Sequence, residues 1–239
     1  MSEPPIFVRG WLPPWGVEVM RLLILAWFKI FTRLETYGQE NLPASGGFIL
    51  SANHLTHFDS PLIFTVLKGR KVTVFAADKY RPHPFFRRVL ECFDVIWVHR
   101  GAIGPSTMRV AARVLRGGGI LGLAPEGTRS RVTHALLEGK TGAAFLALTA
   151  GVPIVPIALG YPDRIVPFLK RLRRQRVTIT VGKPIQSPPL ADGRRPDAQL
   201  LETYTTEIMC RLAAMLAPEY RGVYAEHPRL KELLRADGG

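Results

Sequence analysis

The sequence predicts an α/β fold in which a mostly parallel or mixed sheet is flanked by helices, preceded by an N-terminal helical segment suited to a membrane interface. Between about residues 36 and 190, short β-branched runs alternate with segments of helical spacing. Hydrophobic residues make up 47% of the 239-residue chain, which is enough for a substantial core. We expect three parts: the interfacial segment over residues 1–35, a main domain over 36–217 and a C-terminal tail over 218–239.

The N-terminal segment contains a predicted helix from about Val17 to Leu34. At about 100° per residue, its polar residues fall on one stripe and nearly all other positions are apolar. That stripe, which Leu25 interrupts, comprises Glu18, Arg21, Lys29, Thr32 and Arg33. The wide apolar surface, the basic edge and the nearby Trp11, Trp15 and Trp27 are typical of a helix lying in a membrane interface. Packing into the protein's own core is the alternative, and no apolar run reaches the roughly 18 residues of a spanning helix.

Strand-like and helical runs then alternate along the main domain. The predicted strands are GFILSAN, KVTVFAAD, FDVIWVHR, GGILGLAPEG, VPIVPIALG and RVTITVGKPI. The predicted helices are SPLIFTVLKG, PSTMRVAARVLRGG and KTGAAFLALTAG, each ending in glycine, and later DAQLLETYTTEIMCRLAAML. The chain after this last helix is expected to fray. In such folds the active site lies outside the carboxyl ends of the strands.

The charge balance predicts an anionic partner. The 32 Lys and Arg against 19 Asp and Glu give a net charge of +13, which suits nucleic acid, a membrane surface, a phosphorylated substrate or an acidic carrier protein. No base-reading or stacking motif is present, so nucleic acid is not expected. The run KRLRRQR at residues 170–176 is either a solvated surface or a contact for anionic head groups or a carrier protein. Two cysteines and no secretory signal favour a reducing cytoplasmic compartment.

The stretch SANHLTHFDSP, residues 51–61, contains the best candidate for catalysis. His54 follows the carboxyl end of a predicted strand, while Ser60 is the predicted N-cap and Pro61 the first residue of the next helix. On the loop between them, Asp59 can fold back and accept a hydrogen bond from one ring nitrogen of His54. The opposite nitrogen is then free to take a proton from a substrate hydroxyl. The spacing therefore predicts a general base with its orienting carboxylate.

Three alternatives compete with this interpretation. His54 can be a loop residue that only satisfies backbone groups, and His57 can be the base instead. His and Asp also bind zinc, so HLTHFD can begin a metal site. The remaining histidines form no second cluster with ligand spacing, and we therefore predict no metal.

Cations follow several predicted strands. In LGLAPEGTRSR, residues 121–131, a glycine turn, a hydroxyl and two arginines come after a strand. Arginine matches phosphate oxygens through its planar fork, and a glycine turn lets backbone N–H groups approach an anion. Glu126 is expected to hold a neighbouring cation or a substrate hydroxyl. Arg100 also ends a strand and Lys140 lies at a helix start, so we predict a phosphate pocket facing His54; a surface turn with solvated arginines is the alternative.

With these motifs assembled, the chain resembles the glycerolipid acyltransferase family typified by bacterial 1-acylglycerol-3-phosphate acyltransferase. The resemblance covers about residues 36–185 and identifies the main domain as an acyltransferase domain. Its four blocks are NHLTHFD (Asn-His-x4-Asp), VIWVHR, PEGTRS and VPIVPIAL. The family's second block more often carries an acidic or small polar residue where this chain has His99. The fourth block has no acid–base group and is interpreted as a buried strand beside the acyl site.

The resemblance implies roles for individual residues. His54 is the catalytic base and Asp59 its partner. The acceptor's glycerol phosphate is held by Arg100, Glu126, Gly127 and Arg129, to which we add Asn53, Thr128, Arg131 and Lys140 as substrate-binding residues. No metal and no cofactor are expected beyond the acyl thioester co-substrate.

The implied activity moves a fatty acyl group from acyl carrier protein or coenzyme A to the free hydroxyl of 1-acyl-sn-glycerol 3-phosphate, giving phosphatidate. No Gly-x-Ser-x-Gly motif is present, so an acyl-enzyme is not expected. The acceptor can also be glycerol 3-phosphate or another hydroxylated lipid. Different classes that remain open are a hydrolase and a nonenzymatic basic membrane-binding module. We expect the protein at the cytoplasmic face of the membrane, as a peripheral or monotopic protein.

Overall fold

A computed structural model describes residues 6–98, 103–130, 132–190 and 195–237. The strands within them are β1 (Phe7–Val8), β2 (Thr32–Tyr37), β3 (Phe48–Ala52), β4 (Val72–Ala77), β5 (Asp94–Val98), β6 (Ile120–Leu123), β7 (Ile154–Gly160) and β8 (Gln175–Val181). The helices are α1 (Pro14–Phe31), α2 (Asp59–Val66), α3 (Pro84–Leu90), α4 (Pro105–Arg116), α5 (Gly142–Ala150), α6 (Ile165–Leu169), α7 (Ala198–Ala214) and α8 (Pro228–Asp237).

The strands form one mixed sheet in the order β1-β5-β4-β6-β3-β7-β8-β2. The central run from β5 through β4, β6 and β3 to β7 is parallel throughout. The β7–β8 and β1–β5 pairs are antiparallel, and the edge strand β2 runs parallel to β8. Because β3 lies between β6 and β7, the carboxyl ends of these three strands meet at one edge of the sheet.

Helices cover both faces of this sheet and create two cores. Residues of α1, α2 and α6 pack on one face, where the strand residues include Phe48 and Leu50 of β3. Residues of α4, α5, α7 and α8 pack on the other face, together with Ile49 of β3. Every residue of β3 is buried, as expected for a central strand covered on both sides. The predicted α/β fold with a mixed sheet between helices is confirmed.

The boundaries differ from the prediction at both ends of the chain. Helix α1 ends at Phe31 because Thr32 is extended and opens β2, which pairs with β8 as far as Tyr37. β2 therefore crosses the expected boundary at residue 35. The expectation that the C-terminal end frays is wrong, because Tyr220, Tyr224 and Leu230 are buried in the core. The two-residue β1 and the seven-residue α3 were also not predicted from the sequence.

Helix α1 turns part of its predicted polar stripe towards the protein and leaves many of its apolar residues exposed. Arg21, only 6% exposed, donates to the carbonyl oxygen of Thr65 at 2.9 Å and to the carboxylate of Glu18. On the outer side, Trp15 is 73% exposed and Leu23 67% exposed. Part of the predicted polar stripe thus faces α2, because a buried arginine needs the acceptors found there. Within the described part of the chain, no helix combines the length and the apolar character needed to cross a bilayer.

Candidate active site

His54 and Asp59 are in contact at the carboxyl edge of the sheet. His54 is the second residue after β3, and its Nδ1 lies 2.8 Å from Oδ2 of Asp59, the first residue of α2. The same Oδ2 accepts from the backbone N–H groups of Leu55 at 2.6 Å and Thr56 at 2.8 Å. Because a carboxylate only accepts, Nδ1 carries the proton and Nε2 is the free base. No hydrogen-bond partner of Nε2 is found among the described residues, and the side chain is 30% exposed.

The loop geometry explains why the helix starts earlier than predicted. The N–H of Leu62 donates to the carbonyl oxygen of Phe58, so Asp59 is already in the first turn of α2 and neither Ser60 nor Pro61 opens the helix. The Asp59 side chain turns back and accepts from the loop amides of Leu55 and Thr56. The predicted N-cap, Ser60, lies within the helix and does not cap it. The negative charge of Asp59 at a helix N-terminus is also favourable.

The segment after β6 forms hydrogen bonds with both backbone groups of His54. Oε1 of Glu126 accepts from the N–H of His54 at 3.1 Å, and the N–H of Ser130 donates to the His54 carbonyl oxygen at 2.9 Å. Oε2 of Glu126 accepts from the N–H of Leu137 at 2.9 Å. Burial raises the pKa of Glu126, while the amides of Leu137 and His54 oppose that rise. Both backbone groups of the candidate base are therefore fixed by the PEGTRS block.

Two residues assigned to substrate binding have structural partners instead. Glu126 is 1% exposed and each of its oxygens accepts from a backbone amide, so the carboxylate is directed into the protein instead of towards a substrate. The Asn53 side chain donates to the carbonyl oxygen of Leu159 at 3.0 Å and accepts from the Leu159 N–H at 2.8 Å. Through its side chain, Asn53 thus continues the pairing of β3 with β7 beyond the end of β3. Both side chains therefore help to position His54: Glu126 bonds to its N–H, and Asn53 fixes the residue before it.

The remaining described candidates lie on the outer side of the PEGTRS turn. Gly127 adopts a left-handed φ of 68°, and its N–H donates to the carbonyl oxygen of Ala124 at 3.0 Å. The Lys140 side chain lies over this glycine, since an added Cβ would come 3.0 Å from its Cδ. Lys140 is also tied to the turn through its N–H, which donates to the Pro125 carbonyl oxygen at 2.8 Å. Thr128 is exposed beside them.

Arg129 links the two motifs on the surface. Its Nη1 lies 2.6 Å from Nε2 of His57. A guanidinium has no acceptor, so His57 accepts through this nitrogen. This engagement, and the carboxylate on the other histidine, favour His54 over His57 as the base. The candidates Arg100 and Arg131, and also His99, lie outside the described residues.

Sequence reasoning missed two positioning residues. The Thr56 hydroxyl donates to Oδ1 of Asp59 at 2.7 Å and accepts from the N–H of Phe58 at 3.0 Å. Ser130 supplies the backbone donor described above, and its Oγ lies 3.0 Å from Oγ1 of Thr133. A threonine three residues before an aspartate is a local signal for such a turn, whereas nothing in the sequence marks the Ser130 amide. The described residues contain no group of three or more His, Cys, Asp or Glu placed to hold a metal ion.

Comparison with known proteins adds to this geometry. Residues 33–160 match the protein family described as Acyltransferase. A 1-acyl-sn-glycerol-3-phosphate acyltransferase from Borreliella burgdorferi is 33% identical over 124 residues, which are 51% of this chain and 49% of that relative. A protein of the same name from Bacillus subtilis is 25% identical over 158 residues, 66% of this chain and 76% of that relative. The chain therefore spans about half the length of the Borreliella relative.

One solved structure supports the architecture. The crystal structure of the 1-acyl-sn-glycerophosphate (LPA) acyltransferase PlsC from Thermotoga maritima has a TM-score of 0.62 to this chain. The match covers 81% of this chain and 77% of that one at 22% sequence identity. At this level of identity the likeness establishes a shared fold.

Proposed function

The chain belongs to the acyltransferase family, and from that premise we propose that it moves a fatty acyl group from a thioester to the free hydroxyl of 1-acyl-sn-glycerol 3-phosphate, giving phosphatidate. The observation that carries the proposal is the His54–Asp59 pair at 2.8 Å, with the opposite ring nitrogen free of partners among the described residues. The two relatives compared above are named for this reaction, which supports the choice of acceptor.

In the proposed mechanism, Nε2 of His54 removes the hydroxyl proton of the acceptor as its oxygen attacks the thioester carbonyl. Asp59 keeps the proton on Nδ1 and stabilises the imidazolium that forms. The tetrahedral intermediate then collapses, and the imidazolium gives its proton to the departing thiolate. The acyl group passes directly from sulfur to oxygen, so no residue of the chain carries it.

The acceptor's phosphate is assigned to the cations around the PEGTRS turn. Arg129 and Lys140 flank the exposed Gly127–Thr128 corner, and a left-handed glycine at this point leaves room for an anion to approach the backbone. Arg100 and Arg131 are proposed to complete the set from the neighbouring segments that lie outside the described residues. Glu126 and Asn53 act as positioning residues that keep His54 in place.

The donor is proposed to be acyl carrier protein or coenzyme A carrying the acyl chain as a thioester. Both substrates include a long hydrocarbon chain, which suits a protein that works at a membrane. The outer side of α1 supports this placement, because it exposes Trp15, Leu23 and Ile30 while Arg21 is turned inwards. We propose peripheral or monotopic attachment at the cytoplasmic face of the membrane.

The test is a thiol-release assay on the purified protein with an acyl thioester and a panel of acceptors. Lysophosphatidate should release thiol and yield phosphatidate, identified by mass spectrometry. A nonenzymatic membrane-binding module would release no thiol, and a hydrolase would form free fatty acid whether or not acceptor is present. Preference for glycerol 3-phosphate would move the proposal to a different acceptor.

The same assay also tests the role of His54 when this residue is replaced. His54→Ala should lose about 10²- to 10⁴-fold in turnover, the usual contribution of general-base catalysis. His57→Ala serves as the matched control and should retain turnover within a few-fold. The reverse order would assign the base to His57.

A further inference from the structure

The turn after α6 holds an apolar side chain in open solvent among cations. We define the basic turn as residues 170–173, which read Lys-Arg-Leu-Arg. Leu172 is 97% exposed, and the three cations around it are exposed as well. Among the described residues, none of these three cations has an acidic partner within ion-pair distance. The basic turn therefore presents an apolar tip and three cations without acidic partners in the described part of the chain at one place on the surface.

Leu172 has a backbone conformation that favours glycine. Leu172 has a φ of 53°, in the left-handed region where a Cβ is disfavoured. The conformation is held by hydrogen bonds from the Leu172 N–H to the Leu169 carbonyl oxygen and from the Arg173 N–H to the Phe168 carbonyl oxygen, both 2.9 Å. The side chain contributes nothing to the core. Its presence is understandable if it is used outside the molecule.

The basic turn is fastened to the end of α1. The guanidinium of Arg174, the next residue, donates to the carbonyl oxygens of Thr32, at 2.7 Å, and Lys29. These carbonyls close the C-terminal end of the helix, where Ile30 is 63% exposed. A cation in this position satisfies orphan carbonyls and interacts favourably with the helix dipole. The turn is therefore held beside the C-terminal end of α1.

We propose that the basic turn is a docking site for anionic phospholipid, in which Lys170, Arg171 and Arg173 bind lipid phosphates and Leu172 enters the bilayer interface. The proposal rests on the membrane contact of α1 put forward above. A bilayer offers negative head groups and hydrocarbon side by side, which matches cations set around an apolar tip. The turn would give the protein a preference for anionic membranes that α1 alone does not supply.

The opposite end of α1 favours a bilayer over an acidic carrier protein. There, the Arg88 guanidinium lies 4.5 Å from the ring centroid of Trp11, and Phe85 of α3 is exposed nearby in the chain. The 18 residues of α1 separate the two ends by about 27 Å. An apolar side of this length with cations at both ends fits an extended lipid surface better than one small protein.

The experiment measures binding of the full-length protein to sedimented vesicles of phosphatidylcholine, with and without phosphatidylglycerol. The triple variant Lys170→Ser, Arg171→Ser, Arg173→Ser should bind the anionic vesicles about a hundredfold more weakly and lose the preference for them. Its matched control removes three exposed cations from α4 and α8, as Arg109→Ser, Arg113→Ser and Arg235→Ser, and should bind like the wild type. Raising the salt concentration should reduce the difference between the wild type and the triple variant.

Leu172→Gly separates membrane contact from folding. It should bind both vesicle types about fivefold to tenfold more weakly, while its thermal midpoint stays level or rises because glycine adopts the turn freely. Equal binding by the triple variant and its control would overturn the proposal, as would a wild type indifferent to phosphatidylglycerol. Unchanged vesicle binding with a raised KM for acyl carrier protein thioester alone would reassign the turn to the carrier protein. Vesicle binding needs no turnover, so a failure of the proposed reaction is detected separately by thiol release.

Discussion

Replacing Asp59 by Asn tests whether the carboxylate contributes charge or only geometry. Oδ2 accepts from Nδ1 of His54 and from the amides of Leu55 and Thr56, whereas Oδ1 accepts from the Thr56 hydroxyl. An asparagine oxygen can replace Oδ2, and its NH₂ can donate to the Thr56 hydroxyl, which still has a free lone pair. The three bonds to Oδ2 can therefore be kept and the one with the Thr56 hydroxyl is reversed, while the negative charge is lost. The tautomer of His54 is kept as well.

The expected cost follows from the lost interaction between the carboxylate and the imidazolium. Two unit charges about 4 Å apart interact by about 4 kcal/mol at an effective dielectric constant of about 20. Part of this is retained by the amide dipole, so we expect kcat to fall by about a hundredfold to a thousandfold. The assay is thiol release at saturating donor and acceptor, with the thermal midpoint measured on the same preparation.

The control is Asp59→Ala, which removes the acceptor for all four donors. It should lower the midpoint much more than Asp59→Asn, because buried N–H groups are left unsatisfied at about 1–3 kcal/mol each. If Asp59→Asn is folded and turns over within about threefold of the wild type, the charge is not used and the proposed role of Asp59 is incorrect. An equal loss of stability in both variants would show that asparagine does not preserve the geometry.

Three further predictions concern parts of the fold around the site. Glu126→Gln places an NH₂ group against one of two backbone N–H donors, so it should lose about 1–3 kcal/mol of folding free energy and lower kcat more than it raises the acceptor KM; an unchanged denaturation midpoint would contradict the clamp. Gly127→Ala should cost about 1–2 kcal/mol because of the left-handed φ, and it should raise the acceptor KM through displacement of Lys140; unaltered KM would remove the turn from the acceptor site. Leu230→Ala should destabilise by about 2–5 kcal/mol in chemical denaturation, since this residue of α8 is fully buried; a loss below about 0.5 kcal/mol would restore the view of a loose tail.

Local pattern was sufficient for most of the central sheet. The six predicted strands each coincide with one strand of the structure to within one residue at its start or contain it whole, because short β-branched runs bounded by Gly, Pro or Asn leave little choice of conformation. The first half of the edge strand β2, residues 32–34, was predicted as the end of the N-terminal helix, and its second half was assigned to no element. Its strand conformation comes from pairing with β8, which lies some 140 residues away along the chain. Contacts of that range carry no signal in a local window.

The same limit applies to the site. The His54–Asp59 contact was predictable because both residues lie on one short loop, and a five-residue separation restricts how they can meet. Whether Asn53 and Glu126 face the substrate was not predictable. Their partners, Leu159 and Leu137, belong to other segments, and only the folded chain shows that both side chains are buried against them. Residue type alone indicates that a polar group is functional. It does not show whether the group contacts the substrate or positions another residue.

The supporting groups also show that the base is placed by neighbouring segments of the chain as well as by its own loop, which supplies Asp59. The N–H of His54 is held by the carboxylate that follows β6, its carbonyl oxygen by Ser130, and its preceding residue by β7. Two neighbouring segments, the PEGTRS block and β7, therefore fix the backbone around His54, and a shift in either of them moves Nε2 relative to the substrate. Because a misplacement of about 1 Å can cost a hundredfold in rate, variants in these supports should reduce kcat before they unfold the protein. On the proposed mechanism, these buried polar contacts therefore serve catalysis by keeping His54 in place.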